Sequence, residues 1–353
     1  MRLNGPGAMA NPLRARPAPK GSLLAETSFS PNPGNLRMLE YVPRGLKKDA
    51  PLVVVLHGCG QTAAGYDLGA GWSQLADQMG FALLAAEQKA VNNPHTCFDW
   101  FNPEDITRGE GEAASIAAMV GTMVEKHRLD SRQVFITGLS AGGAMSAVML
   151  ALYPELFAGG AIIAGLPFGS ARDVRDALES MRSAPLRTPA QWGDLVRAAS
   201  DHQDPWPRIS IWHGALDTTV NVNNAQASVA QWADLHGLSL TAAEQEMVDG
   251  AIRLRWDDRL EVYTLPVLSH GTPINSGDVG QPGPFILEAG ISSSRRIAEF
   301  WGLASVRSAK IEASALPEIE HILMPHREQE DISARSRESV IWRALKAAGL
   351  VKR

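Results

Sequence analysis

Five residues, Gly138-Leu139-Ser140-Ala141-Gly142, follow directly on the apolar run Val134-Phe135-Ile136-Thr137. A serine hydroxyl is a poor nucleophile at its free pKa, so a chain that uses one must present it at a sharp turn and set a base beside it. The spacing G-x-S-x-G supplies such a turn. Without a Cβ at 138 or 142, the backbone can fold tightly beneath Ser140 while the next helix packs close, leaving the hydroxyl exposed at a strand's end. In a chain with 32 glycines the bare pattern also arises as a structural turn. Its neighbours favour chemistry: a β-branched and aromatic strand precedes it, and residues 141–150 read as a small-residue helix suited to close packing on a sheet. The implied reaction is attack of the Ser140 hydroxyl on an acyl carbon, as in a serine hydrolase.

Such a serine needs a histidine base, and the histidine needs a carboxylate that fixes its tautomer and stabilises the imidazolium. In α/β-hydrolases the three follow one another as serine, acid, histidine. The run Ile209-Ser210-Ile211-Trp212 leads into His213-Gly214-Ala215-Leu216-Asp217-Thr218-Thr219-Val220, which puts Asp217 in a loop at the C-terminal end of a strand. Asp217 is the expected acid. The run Val262-Tyr263-Thr264-Leu265 leads into Pro266-Val267-Leu268-Ser269-His270-Gly271, and His270 is the expected base. The other histidines fail on position: His127 and His236 end helices, His321 and His326 lie in the tail, and His95 and His202 precede or interrupt the order. His57 and His213, each followed by glycine after a strand, read as turn residues whose rings bond neighbouring loops. Acyl transfer also needs donors aimed at the oxyanion. The backbone N–H of Ala141 is the first, and the turn His57-Gly58-Cys59-Gly60 offers the second at the Cys59 N–H.

These residues have to be held by a sheet. Six apolar runs recur along the chain, at 51–57, 81–86, 134–137, 161–164, 209–212 and 262–265, and each suits a strand buried on both faces. Helical patterns at 112–127, 141–153 and 221–236 alternate with them. The pattern predicts an α/β fold, a doubly wound, mostly parallel sheet with helices on both faces. Ligand groups in such sheets gather beyond the carboxyl ends of the strands, where Ser140, Asp217 and His270 are all expected.

Residues 168–207 interrupt the rhythm with Arg, Asp and Ala, Trp192 and Trp206, and the breakers Asp204-Pro205-Trp206-Pro207. They predict a lid-like insertion over the active end. Residues 1–28 carry Pro6, Pro12, Pro17 and Pro19 with basic residues, and predict a disordered arm. The catalytic domain is expected over 29–303. Residues 304–353 form an extension of mixed charge whose segment 338–350 places Ile341, Leu345 and Ala348 on one helical face.

The 353 residues are 45% hydrophobic and 20% charged, with a net charge of -5. No basic field invites nucleic acid, and no apolar stretch reaches the roughly 20 residues that cross a bilayer. Residues 1–20 lack the apolar core of a secretory signal, so the chain as it stands carries no visible export signal. The two cysteines, Cys59 and Cys97, are too few for a zinc site or a disulfide scaffold. Both sit in loops expected at the same sheet end, where one bridge can form; two buried free thiols in a reducing compartment are the alternative. The chemistry calls for no cofactor and no metal. Trp100, Trp192, Trp206 and Trp212, in or beside expected loops, are candidates for gripping an apolar or aromatic ester.

Taken together, the motifs Leu56-His57-Gly58-Cys59-Gly60-Gln61, Cys97-Phe98-Asp99-Trp100-Phe101, Arg108-Gly109-Glu110-Gly111-Glu112-Ala113, Thr137-Gly138-Leu139-Ser140-Ala141-Gly142-Gly143-Ala144-Met145 and Ala164-Gly165-Leu166-Pro167 resemble the polyhydroxybutyrate depolymerase and feruloyl esterase family of α/β-hydrolases. The resemblance spans about residues 35–301. It implies an α/β-hydrolase fold, a carboxylic ester hydrolase, a catalytic set on Ser140, Asp217 and His270, an oxyanion residue at Cys59, and a disulfide between Cys59 and Cys97. It also implies small or polymeric ester substrates, hydroxyalkanoate or hydroxycinnamate, and a secreted protein. A separate polymer-adsorbing domain with a threonine-rich linker is not visible, which argues against activity on crystalline polymer. Thioesters or peptides, or silent binding, are the alternatives the same residues allow.

Overall fold

A run that is apolar at every position is stable only as a strand covered on both faces, and the computed structural model, which describes residues 23–203 and 205–303, sets six such runs side by side. The strands in chain order are β1 (Leu24–Glu26), β2 (Arg37–Tyr41), β3 (Leu52–Leu56), β4 (Ala82–Glu87), β5 (Val134–Leu139), β6 (Gly159–Ile163), β7 (Arg208–Gly214), β8 (Glu244–Val248), β9 (Ala251–Trp256), β10 (Leu260–Leu265), β11 (Thr272–Ile274) and β12 (Ile286–Glu288). The first ten make one sheet in the order β1-β2-β4-β3-β5-β6-β7-β10-β9-β8. The six from β4 to β10 run parallel and are the six expected from sequence, while β1, β2, β9 and β8 extend the edges in antiparallel fashion. This is the mostly parallel sheet of an α/β-hydrolase fold. β11 and β12 form a separate parallel pair.

The helices are α1 (Ala63–Ala70), α2 (Trp72–Met79), α3 (Gly111–His127), α4 (Ala141–Leu152), α5 (Val174–Arg182), α6 (Pro189–Arg197), α7 (Asn223–Leu235) and α8 (Ser293–Phe300). Successive side chains of a strand point to opposite faces, and β3 shows the result: Leu52, Val54 and Leu56 enter one core with Met145 and Met149 of α4, while Val53 and Val55 enter the other with Trp72 and Leu75 of α2. Every residue of α4 is buried. Its glycines permit that depth, for a Cβ at Gly143 would lie 2.9 Å from both the Gly138 and Ile163 carbonyl oxygens.

Three segments depart from the sequence reading. Leu24–Glu26, expected within a disordered arm, is β1, paired with β2 and tied by Glu26 to Lys126 of α3. α1 and α2 were not expected because Gly65, Gly69 and Gly71 interrupt their pattern; Gly71, at φ 78°, is the left-handed hinge between them. The hairpin of β8 and β9 escaped notice because neither the edge strand β8, with Glu244 and Glu246, nor its neighbour β9, with Arg253 and Arg255, has a buried strand's apolar run. The insertion carries α5 and α6, and Gln231 of α7 holds it, accepting from the Phe168 N–H and donating to the Phe168 and Trp192 carbonyls. The amphipathic segment 338–350 lies outside the described residues.

Candidate active site

Ser140 stands between the last residue of β5 and the first of α4, at φ 57° and ψ -116°. A non-glycine residue held there costs about 1–3 kcal/mol, and the surroundings enforce it. The Ser140 N–H donates to the Ile163 carbonyl at 2.9 Å, and the Ser140 carbonyl accepts from the Ala144 N–H at 2.9 Å. The flanking glycines are obligatory for steric reasons. A Cβ on Gly138 would fall 2.4 Å from the Gly142 carbonyl, and one on Gly142 would fall 2.3 Å from the Leu56 carbonyl oxygen.

Asp217 and His270 are brought together by the neighbouring parallel strands β7 and β10. At the end of β7, Gly214 lets the two following loops touch, since a Cβ there would lie 2.2 Å from the Leu268 carbonyl oxygen. The Ala215 and Leu216 N–H groups then donate to the Leu265 and Leu268 carbonyls at 2.9 and 3.0 Å. Asp217 Oδ1 accepts from the N–H groups of Thr219 and Val220 at 2.8 and 2.9 Å, closing an Asx turn. Asp217 Oδ2 lies 2.7 Å from His270 Nδ1, and His270 Nε2 lies 2.9 Å from Ser140 Oγ. The carboxylate can only accept, so His270 Nδ1 carries a hydrogen and Nε2 is free to accept from the serine hydroxyl. Burial alone would raise the Asp217 pKa. The hydrogen bonds from His213, His270 and the Val220 N–H outweigh it and hold the carboxyl below its usual range.

The turn after β3 reaches the same end of the sheet. Cys59 is bridged to Cys97, with 4.3 Å between their Cα atoms, and the Gly60 N–H donates to the His95 carbonyl at 2.8 Å. The Cys59 N–H donates to no other group among the described residues. Ala141 is the first residue of α4, where a helical N–H has no intrahelical acceptor. Behind the turn, His57 is fully buried; its Nδ1 donates to the Gly58 carbonyl at 2.8 Å, and its Nε2 accepts from the Gln88 N–H at 3.1 Å. Burial lowers the His57 pKa and keeps the ring neutral. Gln88 in turn donates through Nε2 to the buried Glu112 carboxylate and to the Cys97 carbonyl.

Asp99, Asp105 and Glu112 are the one group among the described residues that could hold a metal ion, with oxygens within 4.8 Å of one another. Those oxygens already accept from Asn93, Asn102, Gln88 and the N–H groups of Asp99 and Glu112. Burial, with Asp105 and Asp99 nearby, raises the Glu112 pKa well above its ordinary value.

The tryptophans fare unevenly as candidate substrate contacts. Trp212 is fully buried, stacked on Tyr263 at 3.8 Å and bonded through Nε1 to Ser210, and Trp192 is buried under the Arg187 guanidinium. Neither has surface to offer a ligand, because filling the core consumed it. Trp100 is buried edge-on against Phe101, and Trp206 is half-buried beside His202. Sequence reasoning missed Phe285, whose ring meets His270 edge-on at 5.9 Å. Its backbone, at φ 61°, accepts from the Thr272 N–H, and no local pattern around Gly283-Pro284-Phe285 announces that long-range contact.

Comparison with known proteins agrees with the fold. The esterase PHB depolymerase family model matches residues 36–250. Poly(3-hydroxyalkanoate) depolymerase C of Paucimonas lemoignei is 42% identical over 292 residues, 80% of this chain and 70% of its own. Acetylxylan esterase of Coprinopsis cinerea is 37% identical over 229 residues, 63% of this chain and 61% of its own. Among solved structures, acetyl xylan esterase from Aspergillus awamori superposes with a TM-score of 0.70 at 28% identity, covering 80% of this chain and 100% of that one. No described helix is long and apolar enough to cross a membrane. The chain belongs to the esterase PHB depolymerase family and is a carboxylic ester hydrolase.

Proposed function

We propose that the enzyme is a serine esterase that cleaves aliphatic hydroxyalkanoate esters through an acyl-enzyme. The observation that carries this reading is the hydrogen-bonded series Ser140 Oγ, His270 Nε2, His270 Nδ1 and Asp217 Oδ2, at 2.9 and 2.7 Å. As Oγ attacks the ester carbonyl, His270 Nε2 takes the hydroxyl proton and Asp217 stabilises the imidazolium. The carbonyl oxygen becomes an oxyanion, which accepts from the Cys59 and Ala141 N–H groups. His270 then gives its proton to the leaving alcohol, and a water activated by the same nitrogen releases the acid.

The substrate class rests on the surface beside His270 and on kinship. Phe285, Leu216 and Val267 are 46%, 58% and 85% exposed, and all three come from segments that carry or touch Asp217 and His270. An apolar rim there suits an aliphatic chain better than a sugar. A relative named for a poly(3-hydroxyalkanoate) is 42% identical to the chain. The test has two arms. A fluorophosphonate probe should label wild type and fail on Ser140→Ala; equal labelling of both would overturn the serine mechanism. Among a 3-hydroxybutyrate oligomer, acetylated xylan and methyl ferulate, the oligomer should show the highest kcat/KM. A higher value for either alternative reassigns the substrate and leaves the mechanism standing.

A further inference from the structure

Asp217 Oδ2 faces two imidazoles. Besides His270 Nδ1 at 2.7 Å, His213 Nε2 lies 3.3 Å away, with both the Asp217 and His213 side chains closed to solvent. The same His213 nitrogen is 2.8 Å from the Val220 carbonyl oxygen. Both neighbours can only accept, so His213 Nε2 must carry a hydrogen, which bonds the carbonyl and lies beside the carboxylate. The Asp217 carboxylate is therefore surrounded by donors: two backbone N–H groups bond Oδ1, the His270 Nδ1–H bonds Oδ2, and the His213 Nε2–H, bonded to the Val220 carbonyl, approaches Oδ2 to 3.3 Å. His213 is fixed from below as well, being the β7 residue paired with Thr264 of β10, the strand that leads to His270.

We propose that His213 is a positioning residue for ester hydrolysis, a second donor to the carboxylate that orients His270 and limits how strongly that carboxylate attracts the imidazolium. This rests on the reading of Ser140, His270 and Asp217 as the catalytic set. A carboxylate stripped of one donor concentrates more negative charge on the partner that remains. Without His213, Oδ2 is free to follow His270 or turn from it, and the imidazolium beside it holds its proton more tightly. The charged and titratable groups at this point are Asp217, His213 and His270; the other contacts to His270 are the Ser140 hydroxyl and the Phe285 ring, which carry no charge. The Val220 tether alone would also give His213 a structural role, so the decisive measurement must report on His270.

His213→Leu fills the space without a donor, and His213→Gln restores an N–H near the position of Nε2. For His213→Leu, kcat on a soluble ester should fall about three- to tenfold, the range that an ordinary intramolecular hydrogen bond contributes, as suits a 3.3 Å approach. Its KM should hold, and the acidic limb of the kcat/KM profile should move up by about half a unit. His213→Gln should return both to near wild type. A lowered kcat with an unmoved acidic limb, or no rescue by glutamine in a variant of wild-type Tm, would overturn the proposal. Should His213→Leu fail to fold, 15N-histidine spectra of the wild type and of Asp217→Asn decide: a His213 Nε2 resonance that shifts when the carboxylate is replaced supports the assignment, and one that stays in place refutes it, because the bond to the Val220 carbonyl alone would leave it unchanged. Fluorophosphonate labelling of Ser140 in each variant separates failure here from failure of the catalytic set.

Discussion

Replacing Asp217 by asparagine changes one atom, and the hydrogen-bond pattern dictates how the neighbouring imidazole must respond. Oδ1 accepts two backbone N–H groups at 2.8 and 2.9 Å, so the amide must keep its oxygen there or set two donors against two donors. Its NH2 then takes the place of Oδ2, 2.7 Å from His270 Nδ1. To avoid a clash of hydrogens, His270 must move its proton to Nε2, the nitrogen 2.9 Å from Ser140 Oγ. A protonated Nε2 cannot accept from the serine. The same inversion of tautomer in a serine protease lowers kcat by about 10⁴-fold, or about 5 kcal/mol of barrier. We expect a loss of that order with KM nearly unchanged, measured with a chromogenic butyrate ester at neutral pH alongside a Tm that confirms folding. A folded Asp217→Asn variant with kcat within tenfold of wild type, or with a raised KM and intact kcat, would falsify the assignment of Asp217 as the orienting acid.

Ser140→Ala and His270→Ala should each abolish ester turnover by several orders of magnitude, and the double variant should lose little more, because the residues act as a unit; additive losses measured by single-turnover kinetics would contradict this. Cys97→Ser, or mild reduction, should loosen the turn that presents the Cys59 N–H and lower kcat by part of the roughly 2.7–4 kcal/mol that a lost oxyanion donor costs. Unchanged kcat in the reduced enzyme would remove the disulfide from catalysis. Glu112 has a folded-state pKa raised by burial and by Asp105 and Asp99, so its ionisation lowers stability as pH rises above the ordinary value of about 4.3. The Tm advantage of Glu112→Gln over wild type should therefore widen from acid to neutral pH, and a difference that stays flat would refute the buried-charge argument. Asp217 acts in the opposite sense: its lowered pKa adds stability above about pH 3.9 that is lost as pH falls toward the folded value.

Sequence alone determined the elements that depend on local chemistry. Ser140 was legible because two glycines and a preceding strand are a steric signature, and the Cβ positions at Gly138 and Gly142 show why no other residue fits. The six parallel strands were legible because burial on both faces leaves only apolar residues. Order along the chain then singled out Asp217 and His270 as candidates. Tertiary structure alone decided which of them meet. His270 is 130 residues from Ser140 and 53 from Asp217, and their approach depends on the tight contact at Gly214, which no periodicity encodes. The same long-range packing buried Trp192 and Trp212, brought Phe285 to His270, and turned His213 toward the carboxylate. A side chain's type sets what it can donate or accept; the partner it finds is set by how distant strands stack, and only the folded chain fixes that.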